Sequence, residues 1–241
     1  MKRNKVYLGR KAGKYLLEDL HNARKSVKII SPYLTPDYVM HLIDIKNKGV
    51  DVNLITSDCI EINDYCELSH TDIIKQKVHT LAGALQERQN LMNYAFWSTI
   101  IGIGSLFFGF FVLPMLFLFV LSLIFASVLW FLYINKQIYE YSYYSLFPLK
   151  VFFSQYSNEQ YKNDFLIHSK VYIIDNRVAY IGSVNFTHSG LVNSYECISR
   201  VSDKNEVSYL NREYDKLFHN GRLKFKDIQV WGKEIYLEPR N

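Results

Sequence analysis

Apolar and polar positions alternate along the N-terminal part of the chain with two different periods. Ala12, Tyr15, Leu16, Leu20 and Ala23 recur at helical spacing, and VKIIS from Val27 reads as a short strand. Thr35 followed by Pro36 sets an N-cap before a proline at the first helical position; the helix runs to about Lys48, Gly49 stops it, and VDVNLIT from Val50 is another strand. Helices alternating with short apolar strands predict a mixed α/β sheet flanked by helices, with crossover connections. From Asp58 to Gln89 the pattern predicts a polar loop and then a helix, Asp72 to Arg88. In the C-terminal part, Leu149 to Phe153 reads as a strand, SQYSNEQYKND as a polar loop, and Phe165 to Ile174 as a longer strand. Asp175-Asn176 makes a tight turn, Val178 to Ile181 returns, and Gly182-Ser183 breaks that strand. Beyond Asn220 the chain is basic and aromatic, and the only element predicted there is a hairpin or strand near Ile228 to Trp231.

The middle is different in kind. No charged residue occurs from Gln89 through Asn135, and the apolar run Tyr94 to Ile134 far exceeds the ~18 residues that suggest a transmembrane helix. As one straight helix it would extend roughly 60 Å, about twice the hydrocarbon thickness, so two spans are expected. They lie near Tyr94–Val112 and Met115–Ile134, with the turn at Gly109 to Pro114. Trp97 at one end, and Trp130 and Tyr133 at the other, suit the headgroup level. Lys75, Lys77 and Arg88 precede the spans, Lys136 and Lys150 follow them, and the turn carries no cation, so both soluble halves are expected in the cytoplasm. The expected organisation is therefore residues 1–88 as one half of a domain, 89–136 as a membrane hairpin, and 137–241 as the other half.

Composition narrows the partners. The 241 residues are 49% hydrophobic and 16% aromatic, which excludes a disordered chain, and the net charge of +5 favours anionic partners such as phospholipid surfaces or nucleic acid. Cys59, Cys66 and Cys197 form no CxxC pair and leave an odd thiol, as suits a reducing compartment. Cys59, Cys66 and His70 match no common zinc spacing. The basic start of the chain has no apolar core of the kind a secretory signal needs, so none is expected.

The chemistry concentrates in IHSKVYIIDNRVAYIGSVNFTHSG, Ile167 to Gly190. Along a strand, alternate residues share a face, so His168 and Lys170 are expected to project together, with Asn185 brought beside them by the returning strand. An imidazole, an ammonium and a carboxamide so placed suit a tetrahedral anion: two groups donate to phosphoryl oxygens while the third attacks or transfers a proton. Asp175 either joins this site or simply shapes the turn with Asn176, and Ser183 either supports the site or serves the turn. His21, His41, His70, His79, His188 and His219 lack such company and read as ordinary polar residues.

H-x-K-x-x-x-x-D, six further residues and G-S-x-N, matched here without a gap, resemble the signature of the phospholipase D superfamily. The likeness is greatest from Phe165 to about Val201, and NARKSVKIISPYL with GVDVNLITSD looks like the strand-helix-strand half of the same domain. The resemblance implies a metal-independent, cofactor-free phosphodiesterase in which one histidine attacks phosphorus and a second protonates the leaving oxygen. Only one motif is present, which implies a homodimer placing two His168 side chains in one site. It further implies Lys170 and Asn185 as phosphate ligands, supported by Ser183, and Glu196 as the partner that orients the imidazole. The substrate stays open between phospholipid, which the hairpin favours, and DNA or RNA, which the basic balance suits; an inactive membrane scaffold is the third reading.

Overall fold

The computed structural model describes residues 4–58, 73–109 and 114–239. The described residues fall into two compact units, one within residues 1–75 and 143–235 and the other within 76–142 and 236–241. Cys59, Cys66, His70, Asp72 and most of the Gly109–Pro114 turn lie outside the described residues.

The first unit is built on a seven-stranded mixed sheet in the order β1-β9-β8-β7-β2-β3-β6. Its strands are β1 Lys5–Gly9, β2 Ser26–Ile30, β3 Asp51–Ser57, β6 Leu149–Phe152, β7 Lys170–Ile174, β8 Val178–Gly182 and β9 Glu196–Val201. β2, β3 and β6 run parallel, while β7, β8, β9 and β1 continue the sheet antiparallel. Helix α1, Lys14–His21, and helix α2, Pro36–Asn47, bury Leu16, Leu20, Val39, Leu42 and Ile45. Tyr180, on the face of the sheet that receives α1, donates through its hydroxyl to Tyr15 O at 2.9 Å. The opposite face carries a second cluster, in which Ile30, Ile55, Val171, Ile173, Ala179 and Val201 pack with Val207 and Tyr214. Those last two belong to the helix Lys204–Phe218, whose N-terminus is capped by the Asp203 carboxylate accepting from Asn205 N and Glu206 N.

β3 and β6 are adjacent and parallel, and the chain between them contains the second unit. There β4, Ile74–Thr80, pairs with β5, Tyr139–Ser145, as a separate two-stranded ribbon. β4 leads into helix α3, Ala84–Gly109, and β5 follows helix α4, Pro114–Asn135; the Lys204–Phe218 helix is α5. At about 39 and 33 Å, α3 and α4 are each long enough to cross a bilayer, and they are apolar enough to do so. They pack through small residues: Ala95, Ser98, Gly102, Ser105 and Gly109 form the buried seam of α3. A Cβ on Gly102 would collide with Ser122, and Ser98 Oγ donates to Ser122 O at 2.9 Å. Their outer faces are large and exposed, as with Phe107 at 67% and Phe117 at 71%, which suits a lipid solvent and not water. Lys136 pairs with Glu87, and Arg88 lies 4.7 Å over the Tyr133 ring, so both flanks meet at one end of the pair.

Three expectations need correction. Residues 74–80, predicted as helix, are β4: Ile74, Val78 and Thr80 are spaced for a strand that meets the tyrosine-rich β5, and Gly83, at φ 78°, separates it from α3. Ile228–Ile235 is a helix, α6, not a strand; Asp227 precedes it and its Oδ1 accepts from Gln229 N at 2.7 Å, an Asx-type start. Helix α3 starts at Ala84, within the helix expected to Arg88, and runs on without a break through the span expected from Tyr94. Lastly, the predicted strand from Phe165 begins only at Lys170. Its neighbours end there: Lys170 is opposite Gly182, the last residue of β8, and Val171 is opposite Ile30, the last of β2. Residues 165–169 therefore have no ladder to join.

Candidate functional site

The parallel strands β2, β3 and β6 all end at the same edge of the sheet as the start of β7, the end of β8 and the start of β9. In sheets of this kind, ligand sites form at the carboxyl ends of the parallel strands. His168 precedes β7 at this edge and is exposed, whereas Lys170, its first residue, is only 5% exposed. The two still meet, although by a different route from the shared strand face expected. The Lys170 ammonium curls back and lies 2.9 Å from His168 Nδ1 and 3.1 Å from Nε2, and it donates to His168 O at 2.8 Å. Burial pushes the Lys170 pKa down from its ordinary value, while the negative charge of Glu196 acts the other way. Glu196 is thus within electrostatic reach of the ammonium.

Gly182 and Ser183 bring β8 against the start of β9. Ser183 N donates to Cys197 O at 2.9 Å, Cys197 N donates to Ser183 Oγ at 3.0 Å, and Ser183 Oγ donates to Glu196 Oε2. Gly182 is required by this approach, since a Cβ there would run into the carbonyl of Cys197. Among the described residues, the hydrogen-bond partner of the Glu196 carboxylate is Ser183 and not His168, so the expected support of the imidazole is not formed within one chain.

Asn185 is clamped by its neighbours. Tyr172 OH donates to Val184 O at 2.7 Å, Phe186 N donates to Ser31 Oγ at 2.9 Å, and both Val184 and Phe186 are fully buried. Burial raises the Tyr172 pKa far above the usual phenol range, so this donor keeps its proton. The buried Asn185 Oδ1 has no hydrogen-bond partner among the described residues. Tyr172 and Ser31, which hold this segment, carry no motif and were not singled out in the sequence.

Asp175 does not join the site. It follows the last residue of β7, five residues beyond Lys170 and about 16 Å away at strand rise. Its carboxylate instead accepts from Arg24 N at 3.1 Å, Lys25 N at 2.7 Å and Ser26 N at 3.1 Å, tying the hairpin to the start of β2. Asp175 and Asn176 both have φ near 54°, a left-handed pair that suits a tight hairpin and that short polar side chains tolerate. Burial raises its pKa, but the three backbone donors and Arg177 outweigh this and leave it below the ordinary carboxylate value.

The loop entering the site is fixed from below. Asp58, at the end of β3, accepts from Ser154 N at 2.8 Å and from Ser157 Oγ, and Asn163 bridges Phe153 O and Lys224. Among the described residues, no group of three or more His, Cys, Asp or Glu side chains is arranged to hold a metal.

Residues 134–218 match the family described as the PLD-like domain of cardiolipin synthase. No curated protein matches the chain. Among solved structures, NucT from Helicobacter pylori is 14% identical, with a TM-score of 0.50 over 93% of this chain and 99% of that one. Nuc from Salmonella typhimurium, described as a phospholipase D family member, is 13% identical at a TM-score of 0.46, over 93% and 99% of the two chains. The phosphatidylserine synthase of Haemophilus influenzae is 12% identical at 0.44, over 95% of this chain and 41% of that one. At these identities the NucT likeness speaks for the fold alone: a mixed sheet flanked by helices. Residues 134–218, which include the H-x-K motif, thus resemble a PLD-like domain, and the mixed sheet flanked by helices is the fold that this chain shares with NucT.

Proposed function

We propose that the chain is a membrane-anchored phosphodiesterase of phospholipase D type, needing no metal or cofactor, which cleaves a phospholipid in a site completed by a second copy. The observation that carries this reading is the open His168 imidazole with a buried ammonium 2.9 Å from its Nδ1. An exposed nucleophile and a desolvated cation are what an incoming phosphodiester needs: one to attack, the other to draw charge onto the non-bridging oxygens.

In the proposed sequence, a ring nitrogen of His168 attacks phosphorus while His168 of the second copy donates its proton to the leaving alkoxide. The P–O bond to the headgroup breaks and a P–N bond forms. The second imidazole, now a base, takes a proton from water; the water oxygen attacks phosphorus, the P–N bond breaks, and the acid phosphate leaves. Lys170 and Asn185 serve as phosphate ligands throughout. Ser183 and Glu196 form the neighbouring polar pair whose carboxylate supports the Lys170 charge. The helix pair holds the chain at a membrane, where phospholipid is concentrated, with both flanks on the cytoplasmic side.

A nuclease reading has one observation of its own. Arg10 and Lys11 follow Gly9, which is paired with Glu196, and among the described residues neither cation has an acidic partner. Such a turn suits a strand of phosphates. The deciding experiment offers the full chain, with chelator present, fluorescent phospholipid and single- and double-stranded nucleic acid in parallel. Headgroup release is expected. Strand cleavage alone would replace the lipid reading, and silence on both would favour an inactive scaffold.

A further inference from the structure

The two long helices leave a groove of about 610 Å³ between them at the end where the chain enters and leaves the pair, within the size range of lipid and small-molecule sites. It lies wholly inside the second unit. Its floor is apolar, made by Leu91 and Tyr94 of α3 and Leu132 of α4. Its lip is polar: Glu87 and Asn90 from α3 face Asn135, Lys136 and Gln137 at the end of α4. Charge ends at this lip, since no charged residue occurs from Gln89 through Asn135. Glu87 and Tyr94 stand two helical turns apart, about 10 Å along the axis, whereas the headgroup layer is roughly 5–7 Å deep. In a bilayer the lip is therefore at headgroup level and the floor reaches the acyl chains.

We infer that this groove holds a glycerophospholipid whose headgroup carries a primary ammonium, of the phosphatidylethanolamine class. The inference rests on the membrane-spanning reading of the helix pair and not on the reading of the His168 site. Tyr94 is 59% and Leu132 47% exposed, so in a bilayer the floor meets acyl chains, and the lip selects the headgroup. Lys136 pairs with Glu87, so the net charge of the lip is zero, which matches a zwitterion. The pair need not open: its ammonium has further N–H donors for a phosphate, and its carboxylate has further lone pairs for an incoming ammonium. The carboxamides extend both halves. Asn90 Oδ1 accepts from Gln86 Nε2 at 3.1 Å, which leaves the Asn90 amide N–H groups to donate to phosphate. Asn135 Nδ2 donates to Phe131 O at 2.8 Å and Gln137 Nε2 to Tyr139 O at 3.0 Å, which leaves their side-chain carbonyl oxygens as acceptors beside Glu87. A quaternary ammonium has no N–H to give these acceptors, and an anionic headgroup without an ammonium would face Glu87 as a like charge.

The test uses the full chain with His168→Asn, so that bound lipid is not consumed. It is extracted in a non-ionic detergent and offered phosphatidylethanolamine, phosphatidylcholine and phosphatidylglycerol of equal chain length. Native mass spectrometry is expected to show a single phosphatidylethanolamine retained per chain, held ~10-fold more tightly than the other two, a difference of about 1.4 kcal/mol. Glu87→Gln removes the charged acceptor and leaves Lys136 without its partner, so the preference should pass to phosphatidylglycerol. Leu132→Trp fills the floor from an exposed position, so retention of all three lipids should fall together; it also serves if Glu87→Gln does not fold. Equal retention of the three lipids, a preference for another class, or a phosphatidylethanolamine preference that survives both variants overturns the groove. A chain that alkaline carbonate strips from membranes overturns the membrane-spanning reading beneath it.

Discussion

The ammonium of Lys170 lies within 3.1 Å of both ring nitrogens of His168, although only Lys170 belongs to a strand. The strand fixes the lysine; the lysine, through the histidine's ring and its carbonyl, fixes the loop residue. His168→Asn keeps a polar side chain of similar reach at an exposed position, so folding, insertion and assembly should be unchanged. Turnover should fall by 10³-fold or more, since both nucleophile and general acid are lost from every site. Circular dichroism and light scattering check the first expectation, and headgroup release checks the second. Undiminished turnover would remove the histidine from the mechanism.

Charge on Lys170 should set the alkaline limit of substrate binding. Burial lowers its pKa, so on raising the pH it loses its proton before an ordinary lysine does, and KM should climb below the usual lysine range while kcat changes less. Glu196 opposes that shift. Glu196→Gln should therefore lower the Lys170 pKa further and move the rise in KM to lower pH. A limb that stays in place in the variant would separate the two residues electrostatically.

Asp175→Ala tests the opposite end of the same strand. The carboxylate accepts three backbone N–H groups, and its loss should cost about 1–2 kcal/mol after allowance for solvent screening. Turnover per folded molecule should not change. Because its folded pKa lies below the unfolded value of ~3.9, its stabilisation is present above that value and is lost as pH falls through the folded pKa. The gap in stability between native and variant protein should accordingly be full at neutral pH and close on strong acidification, as denaturant melts at several pH values would show.

Much of this arrangement was legible in residue spacing. Val27 to Ser31 and Val50 to Thr56 are apolar runs set off by helix stops, so β2 and β3 stood out, and the uncharged stretch from Gln89 to Asn135 could only be a pair of long apolar helices. His168, Lys170 and Asn185 were marked by chemistry at fixed spacing. What spacing could not carry was ladder partnership. β1 is an edge strand whose Val6 and Leu8 are exposed, so it lacks a buried signature, and the loss of strand at Phe165 to Ser169 follows from where β2 and β8 end, not from the segment itself. Asp175 was ambiguous for a like reason: its role depends on Arg24 to Ser26, about 150 residues away in sequence and adjacent in space.

Gly182→Ala asks whether the motif glycine serves packing or flexibility. Its φ is not in the left-handed region, so alanine meets no intrinsic backbone penalty. The added methyl, however, would strike the Cys197 carbonyl and the Ile198 Cα, which belong to a paired strand and cannot rotate away. β8 must then part from β9, at a cost of about 1–3 kcal/mol. That separation is also where Ser183 Oγ reaches Glu196, so turnover should fall among molecules that remain folded, whereas Gly221→Ala, with open space around its Cα, should change stability by no more than about 0.5 kcal/mol and leave turnover alone. Melting curves and active-site titration distinguish the two effects. A Gly182→Ala protein that melts lower yet turns over normally would mean that the Ser183–Glu196 contact is structural and not part of the chemistry.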